Sequence, residues 1–290
     1  MKLGKGKADY QAIKMMNNLI IVRGGGDIAT GTIYKLYQCG FDVLVLETEY
    51  PSAIRRNVAF SEAVYEKIQT VESVTCTLAE DVSQAIGLLE QKKLPVLVDP
   101  QGQSISVLKP FAVVDAILAK KNLGTNRQMA PITIALGPGF VAGADVDAVI
   151  ETKRGHSLGR VIYQGKAIEN TGIPGMIAGY GKERVIHSPQ EGMFRNIKKI
   201  TDTVKKGDII AVVENSGRQT PVKATIDGLI RGLLRDGYPV TKGFKVADID
   251  PRIEEYKNCF TISDKARCIA GGVLEAILHL DGRNRGGSHG

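Results

Sequence analysis

Residues 19 to 31 read LIIVRGGGDIATG: an apolar β-branched run, three glycines and an acid, then a stretch suited to a helix. Such a run predicts a buried strand, and glycines directly behind it allow the tight turn that feeds a helix. This step constrains the chain most, because strand, turn and helix in that order begin a parallel α/β arrangement. Gly24, Gly26 and Ala29 fit the G-x-G-x-x-G/A fingerprint of a loop that cradles a pyrophosphate, with Gly25 inside it. Glu47 closes the next apolar run, near the spacing of roughly 20 residues expected for an acid that holds a ribose hydroxyl. The context points first to a nucleotide or dinucleotide such as NAD(P), and leaves open a Rossmann-like fold without such a ligand. Asp27 is the awkward residue. A carboxylate at a helix start competes with phosphate for the same amides, so it reads as a helix cap or as a contact to a sugar, cation or polar group beside the phosphate.

The same alternation continues to about residue 150. Candidate strands are LIIV (19–22), DVLVLE (42–47), SVTCTLA (73–79), PVLVD (95–99), AVVDAI (112–117) and PITIAL (131–136), separated by helical segments such as GTIYKLYQCG and DVSQAIGLLEQKK. The expected class is α/β: a Rossmann-like parallel sheet domain over 17–150 and a second, small β domain over 191–250. Residues 151–190 read as a connecting segment with a charged loop, and 251–290 as a helical tail. In the β domain VKKGDIIAVV and VTKGFKVADI repeat at the offset that separates Val204 from Val240, and PVKATIDGLIRGLL resembles the strand-turn of biotinyl and lipoyl domains. That predicts a barrel-sandwich hybrid architecture. The hairpin that carries the modified lysine of those carriers reads VENSGRQTP here and has no lysine, so no swinging arm is expected. The tail TISDKARCIAGGVLEAILHL predicts a helix capped at Ser263 and Asp264; Gly271 and Gly272 inside it require a close packing partner or a break.

At 290 residues the chain is long enough for two domains. Its 38 basic residues are scattered among 31 acids, and the net charge of +7 comes without the aromatic and basic motif of an RNA-binding module. An anionic small molecule or an acidic protein fits that excess, and no nucleic-acid partner is expected. No apolar run approaches the roughly 18 residues of a membrane span. The basic stretch MKLGKGKADYQAIKMMNN lacks the features of a secretory leader and reads as an extension before the first strand. Cys39, Cys76, Cys259 and Cys268 match no zinc or disulfide spacing, which predicts reduced, semi-buried thiols and a cytoplasmic protein. A homo-oligomer is compatible with all of this.

Two further motifs follow the last strand of the sheet. GPGF places Gly137 and Gly139 around a proline, a second loop able to accept an anion through backbone amides. ETKRGH gathers Glu151, Arg154 and His156 within six residues: a planar donor for phosphate or carboxylate, and an imidazole that moves a proton near neutral pH. These are the candidate catalytic residues, against a solvated loop with a structural ion pair. Asn170 and Thr171 of ENTGIPG are turn-formers first and ligand contacts second. His187, His279 and His289 have no matching partners, so no metal site is expected.

RGGGDIATG, ALGPGF, VIETKRGH, LGRVIY, NTGIPG and ISDKARCIAGGVLEA together resemble the YqeB-type accessory proteins of selenium-dependent molybdenum hydroxylases, over nearly the whole chain after residue 17. The resemblance implies a role in maturing a molybdenum hydroxylase of the xanthine dehydrogenase type, with the molybdenum cofactor, a pterin-like molecule or a nucleotide as the bound group. An NAD(P)-dependent oxidoreductase and a non-catalytic scaffold for the hydroxylase stand as alternatives. No Tyr-x-x-x-Lys pair supports the first of these.

Overall fold

The computed structural model describes residues 18–169 and 175–285. The N-terminal extension, Asn170 and Thr171 of ENTGIPG, and His289 lie outside the described residues. The protein is of the mixed α/β class, with one large sheet and smaller antiparallel ones. Its chain divides into two units: 1–51, 60–170 and 262–290 form the first, 52–59 and 171–261 the second.

The large sheet has nine strands. In chain order they are β1 (Leu19–Arg23), β2 (Asp42–Glu47), β3 (Ile68–Val71), β4 (Val74–Ala79), β5 (Leu94–Val98), β6 (Ala112–Asp115) and β7 (Ile132–Leu136). After a short β8 (Val141–Ala142) come β9 (Ala148–Ile150) and β10 (Val161–Ile162). The spatial order is β10-β9-β7-β6-β1-β2-β5-β4-β3. Neighbours from β4 to β9 pair in parallel, and the edge strands β3 and β10 pair antiparallel. All six strands read from the sequence are present. The central β1, β6 and β7 are buried at every position, as parallel strands covered on both faces require. The edges escaped the sequence because antiparallel edge strands of four and two residues carry no long apolar run.

Among the described residues five α-helices accompany the strands: α1 (Asp27–Gln38), α2 (Ala63–Glu66), α3 (Val82–Glu90), α4 (Gln103–Leu108) and α5 (Asp264–Arg285). Asp81 caps α3 by accepting the Gln84 N–H at 2.8 Å. The C-terminal segment is no separate tail. Residues 251–261 belong to the second unit and 262–290 to the first, where α5 lies against α1 and a Cβ on Gly31 would stand 2.7 Å from the Ala266 Cβ. The helix runs unbroken through Gly271 and Gly272, so the close partner is the reason for the glycine: a Cβ on Gly272 would be 2.2 Å from the Gly159 carbonyl oxygen. Ser263 caps it through the Ala266 N–H, and Asp264 is its first helical residue. Among the described residues no helix is long and apolar enough to cross a membrane. All four thiols are free; Cys76 and Cys259 are buried, while Cys39 and Cys268 are exposed, against the expectation of semi-burial for all.

The second unit is built from a repeat deeper than the ten residues that reveal it in the sequence. Its strands are β12 (Val185–His187), β13 (Gly192–Asn196), β14 (Thr203–Val204) and β15 (Ile209–Asn215), then β16 (Arg218–Lys223), β17 (Gly228–Leu233), β18 (Pro239–Val240) and β19 (Lys245–Asp250). They form two sheets, β12-β19-β17-β14 and β16-β15-β13-β18. Shifting β13, β14 and β15 by 36 residues gives β17, β18 and β19, each in the corresponding slot of the other sheet. Hydrogen bonds repeat as well. Phe194 N–H to the Tyr238 carbonyl is matched by Ile230 N–H to Asp202, and Ala224 N–H to Asp208 by Ser188 N–H to Phe244. Gly192 and Gly228 are twins at φ +145° and +154°, each with a carbonyl oxygen 2.3 Å from where a Cβ would be, that of Glu214 and of Asp250. Phe194, Ile210, Val213, Leu229, Ile230 and Ile249 fill the shared core. Residues 52–59 belong here because Leu233 N–H bonds the Ile54 carbonyl and Arg56 Nε bonds the Leu233 carbonyl, both at 2.8 Å.

Candidate functional site

The chain leaves β1 for β2 on one side and later returns to β6 on the other, so the sheet reverses direction between β1 and β6. In open α/β sheets ligands bind beyond the carboxyl ends of the strands at such a reversal. The glycine loop and the loop after β6 stand there; the loop after β7 and the ETKRGH segment after β9 leave the same edge of the sheet one and two strands beyond β6. Each glycine of the triplet meets a different environment. Gly24 adopts φ +95°, and a Cβ on it would press on the Ala116 carbonyl at 2.9 Å. On Gly25 a Cβ would lie 2.9 Å from the Ser61 nitrogen, whose N–H bonds the Gly25 carbonyl at 2.9 Å. These two are therefore needed for the chain to pack on itself. Gly26 has φ −64° and ψ 178°, and nothing lies within 4 Å of its absent Cβ.

Gly26, not Asp27, is the N-cap of α1. Asp27 occupies the first helical position, where its charge complements the macrodipole; that corrects its reading as the cap. Ala29 is fully buried, as the third fingerprint position requires. Glu47 does not face an open ribose position with both oxygens. Its Oε2 accepts the Gly25 N–H and its Oε1 the Thr48 N–H, each at 2.8 Å. Burial raises its carboxyl above the ordinary range, against the lowering effect of those two bonds. Beneath the loop, Arg23 donates to Thr125 Oγ1 and to the Pro100 carbonyl, and Thr125 donates to Asp115 Oδ2 at 2.6 Å. Arg23 and Asp115 are both about 2% exposed, so this network pins the ends of β1 and β6 together. The sequence offered a signal for it, an arginine ending β1 and an aspartate ending β6.

GPGF is likewise shaped by its own chain. Gly137, at φ +77°, admits Thr152, whose Oγ1 would be 2.5 Å from a Cβ. Gly139, at φ +112°, admits the Lys120–Lys121 backbone, with the Lys121 nitrogen at 2.7 Å. In ETKRGH the three candidates separate. Glu151 is buried and accepts the Lys153 N–H at 2.7 Å and the Ile168 N–H at 2.8 Å. Arg154 forms a bidentate pair with Asp264 at 2.7 and 3.0 Å, on the surface at the start of α5. His156 is exposed. Glu151 and Arg154 thus act as brackets for the fold, while Thr152 is the residue of the segment that meets GPGF. Among the described residues no group of three His, Cys, Asp or Glu is placed to hold a metal ion.

Beside GPGF, the second loop the sequence offers to an anion, lies a cleft of about 450 Å³ whose lysines sequence reasoning missed. It is lined by Lys120, Pro138, Gly139, Phe140, Val141, Lys166, Ala167 and Glu169. Its residues come from three separate stretches of the chain, and single lysines in a loop and in a two-residue strand carry no pattern.

No protein-family model matches the chain. Solved structures with similarity include the ectoine utilization protein EutE (DoeB) from Ruegeria pomeroyi, 14% identical, covering 83% of this chain and 61% of that one with a TM-score of 0.24. A succinylglutamate desuccinylase/aspartoacylase from Rhodobacter sphaeroides is 12% identical and covers 81% of this chain and 85% of its own, with a TM-score of 0.28. Likenesses this low fix neither fold nor chemistry. The uncharacterized protein YqeB of Escherichia coli strain K12 is 52% identical over 264 residues, which is 91% of this chain and 48% of that protein. The chain spans about half the length of that relative. At that identity and coverage, this chain belongs to the YqeB family.

Proposed function

We propose that this chain is an accessory factor in the maturation of a selenium-dependent molybdenum hydroxylase of the xanthine dehydrogenase type. It works in the cytoplasm and binds a nucleotide or the molybdenum cofactor at the glycine loop. The hydroxylase and the maturation step rest on the family resemblance. One observation carries the binding. Gly26 has no packing neighbour and a backbone angle open to any residue, yet it stands at the N-terminus of a twelve-residue helix at the reversal point of the sheet. Room kept clear at a helix N-terminus suits a phosphate. With the Gly25 N–H directed to Glu47, the amides of Gly26 and of the first turn of α1 are the donors that fit one phosphate group. The finer fold names follow: the nine-stranded sheet as Rossmann-like, and the twofold-repeated β unit as a barrel-sandwich hybrid without a modified lysine.

A second reading, an NAD(P)-dependent oxidoreductase, is favoured by the place of Glu47 at the end of the strand beside β1. One experiment separates them. Small molecules released from natively purified protein are identified by mass spectrometry, and wild type and Gly26→Val are screened for binding of NAD(H), NADP(H), nucleotides and molybdopterin. Molybdopterin or a nucleotide lost in the variant supports the proposal. Nicotinamide binding with turnover supports the second reading, and equal binding by both proteins sinks the glycine-loop site. Capture of the hydroxylase with no small molecule bound would favour a scaffold.

A further inference from the structure

We propose that the cleft beside GPGF is a second ligand site, for a small molecule bearing a phosphate or pyrophosphate, separate from the β1 glycine loop. Its volume of about 450 Å³ is that of a small-molecule pocket. Its lining carries two ammonium side chains, Lys120 and Lys166, and one carboxylate, Glu169. Among the described residues neither lysine is held in an ion pair. That excess of positive charge in a concave site selects an anion.

The cleft is built, and several features of the fold exist to shape it. Lys120 sits at φ +63° two residues after Leu118 at +59°, conformations that side-chain-bearing residues avoid and that surrounding packing must hold. Gly139 makes the hold possible, because any side chain there would strike the Lys120–Lys121 backbone. The facing wall starts at β11 (Gly165–Lys166), which pairs antiparallel with β8, Lys166 opposite Val141. Alternation then sets the directions: Ala167 is buried with Phe140 and Ala142 in a small core, while Lys166 is exposed. The next residue, Ile168, is tied down by Glu151, whose buried carboxylate accepts its N–H. Glu151 is thus a positioning residue for this wall. The loop after β6 supplies Lys120 to the cleft and also covers Gly24 through Ala116, so one loop borders both sites.

The test titrates full-length protein with pyrophosphate at constant ionic strength, following backbone amides by NMR. Saturable shifts at Gly139, Phe140 and Ala167 are expected. Lys120→Gln/Lys166→Gln should weaken that binding at least about tenfold, since each change removes a charged hydrogen-bond donor to the anion. Both lysines are exposed, so the double variant folds. Gly26→Val should leave these shifts intact, which separates the cleft from the glycine loop. Shifts that do not saturate, equal affinity in the double lysine variant, or loss of the shifts in Gly26→Val would each overturn the proposal.

Discussion

Glycines in the two units answer to different demands. In the β unit Gly192 and Gly228 are fixed twice over by the same cause: a positive φ and a carbonyl oxygen in the place of the side chain. In the sheet unit Gly24, Gly25, Gly137 and Gly139 are also explained by close backbone or side-chain approach, and Gly26 beside them is not. A glycine motif therefore mixes residues that serve the fold with residues that leave room. Only the second kind marks a ligand, and a sequence fingerprint cannot tell them apart.

The largest effect tests the structural end of this comparison. Gly192→Ala and Gly228→Ala should each destabilise the protein by on the order of 3 kcal/mol, from strained backbone plus a clash with rigid strand. Because the environments are repeated, the two losses should agree within about 1 kcal/mol. Urea denaturation followed on the β unit measures both. Strongly unequal losses would show that the repeat is one of sequence pattern and not of packing.

Next come Gly137→Ala and Gly139→Ala, expected to cost about 1–3 kcal/mol as overpacking with positive φ. The cost should be the smaller for Gly137, whose obstacle is the side chain of Thr152, which can turn away. A Gly137→Ala/Thr152→Ala double variant, which removes the hydroxyl that would stand 2.5 Å from the new Cβ, should lose less in thermal melts than its two single variants together. Additive losses would place the strain in the backbone angle alone.

The sequence disclosed the fold where physics is local and withheld it where it is not. Six strands, the helices between them and the Ser263 cap are written in short-range patterns of apolar residues and capping side chains. The 36-residue repeat was visible over ten positions, yet its full extent lies in backbone bonds such as Phe194 to Tyr238, which leave no residue signature. The site was legible as loops and illegible as contacts. Arg154 has the same type and spacing whether it meets a phosphate or Asp264, and Glu151 looks the same on a surface as it does buried on two amides. Lys120 and Lys166 line one cleft through the pairing of two very short strands and the packing of the Lys120–Lys121 backbone on Gly139.

A smaller effect concerns Glu47, whose bond to Gly25 sets how many loop amides remain for a ligand. Burial raises its folded-state pKa above the ordinary value of 4.5. Stability contributed by the protonated form is fully present below the unfolded pKa and is lost as pH rises through the raised value. Glu47→Gln does not titrate and resembles the protonated acid. Its stability should match wild type at acid pH and exceed it increasingly as pH rises through that window, then by a constant margin. Denaturation at a series of pH values from 4 to 8 measures the difference. A margin that shrinks with pH would mean that the two amides outweigh burial and hold the carboxylate ionised.

The smallest effect on stability is the sharpest test of function, and it falls on Gly26. Serine caps a helix at least as well as glycine, a gain of a few tenths of a kcal/mol. At φ −64° and ψ 178° serine is unstrained, and with nothing within 4 Å its hydroxymethyl group meets no neighbour. Gly26→Ser should therefore melt at or slightly above the wild-type temperature. If the space is kept for a phosphate, the same group stands where the anion must approach the amides, and affinity for the nucleotide or cofactor should fall at least about tenfold, the equivalent of about 1.4 kcal/mol. A purely structural N-cap predicts the same stability with unchanged binding. The two readings part on a single variant because the fold is indifferent to it.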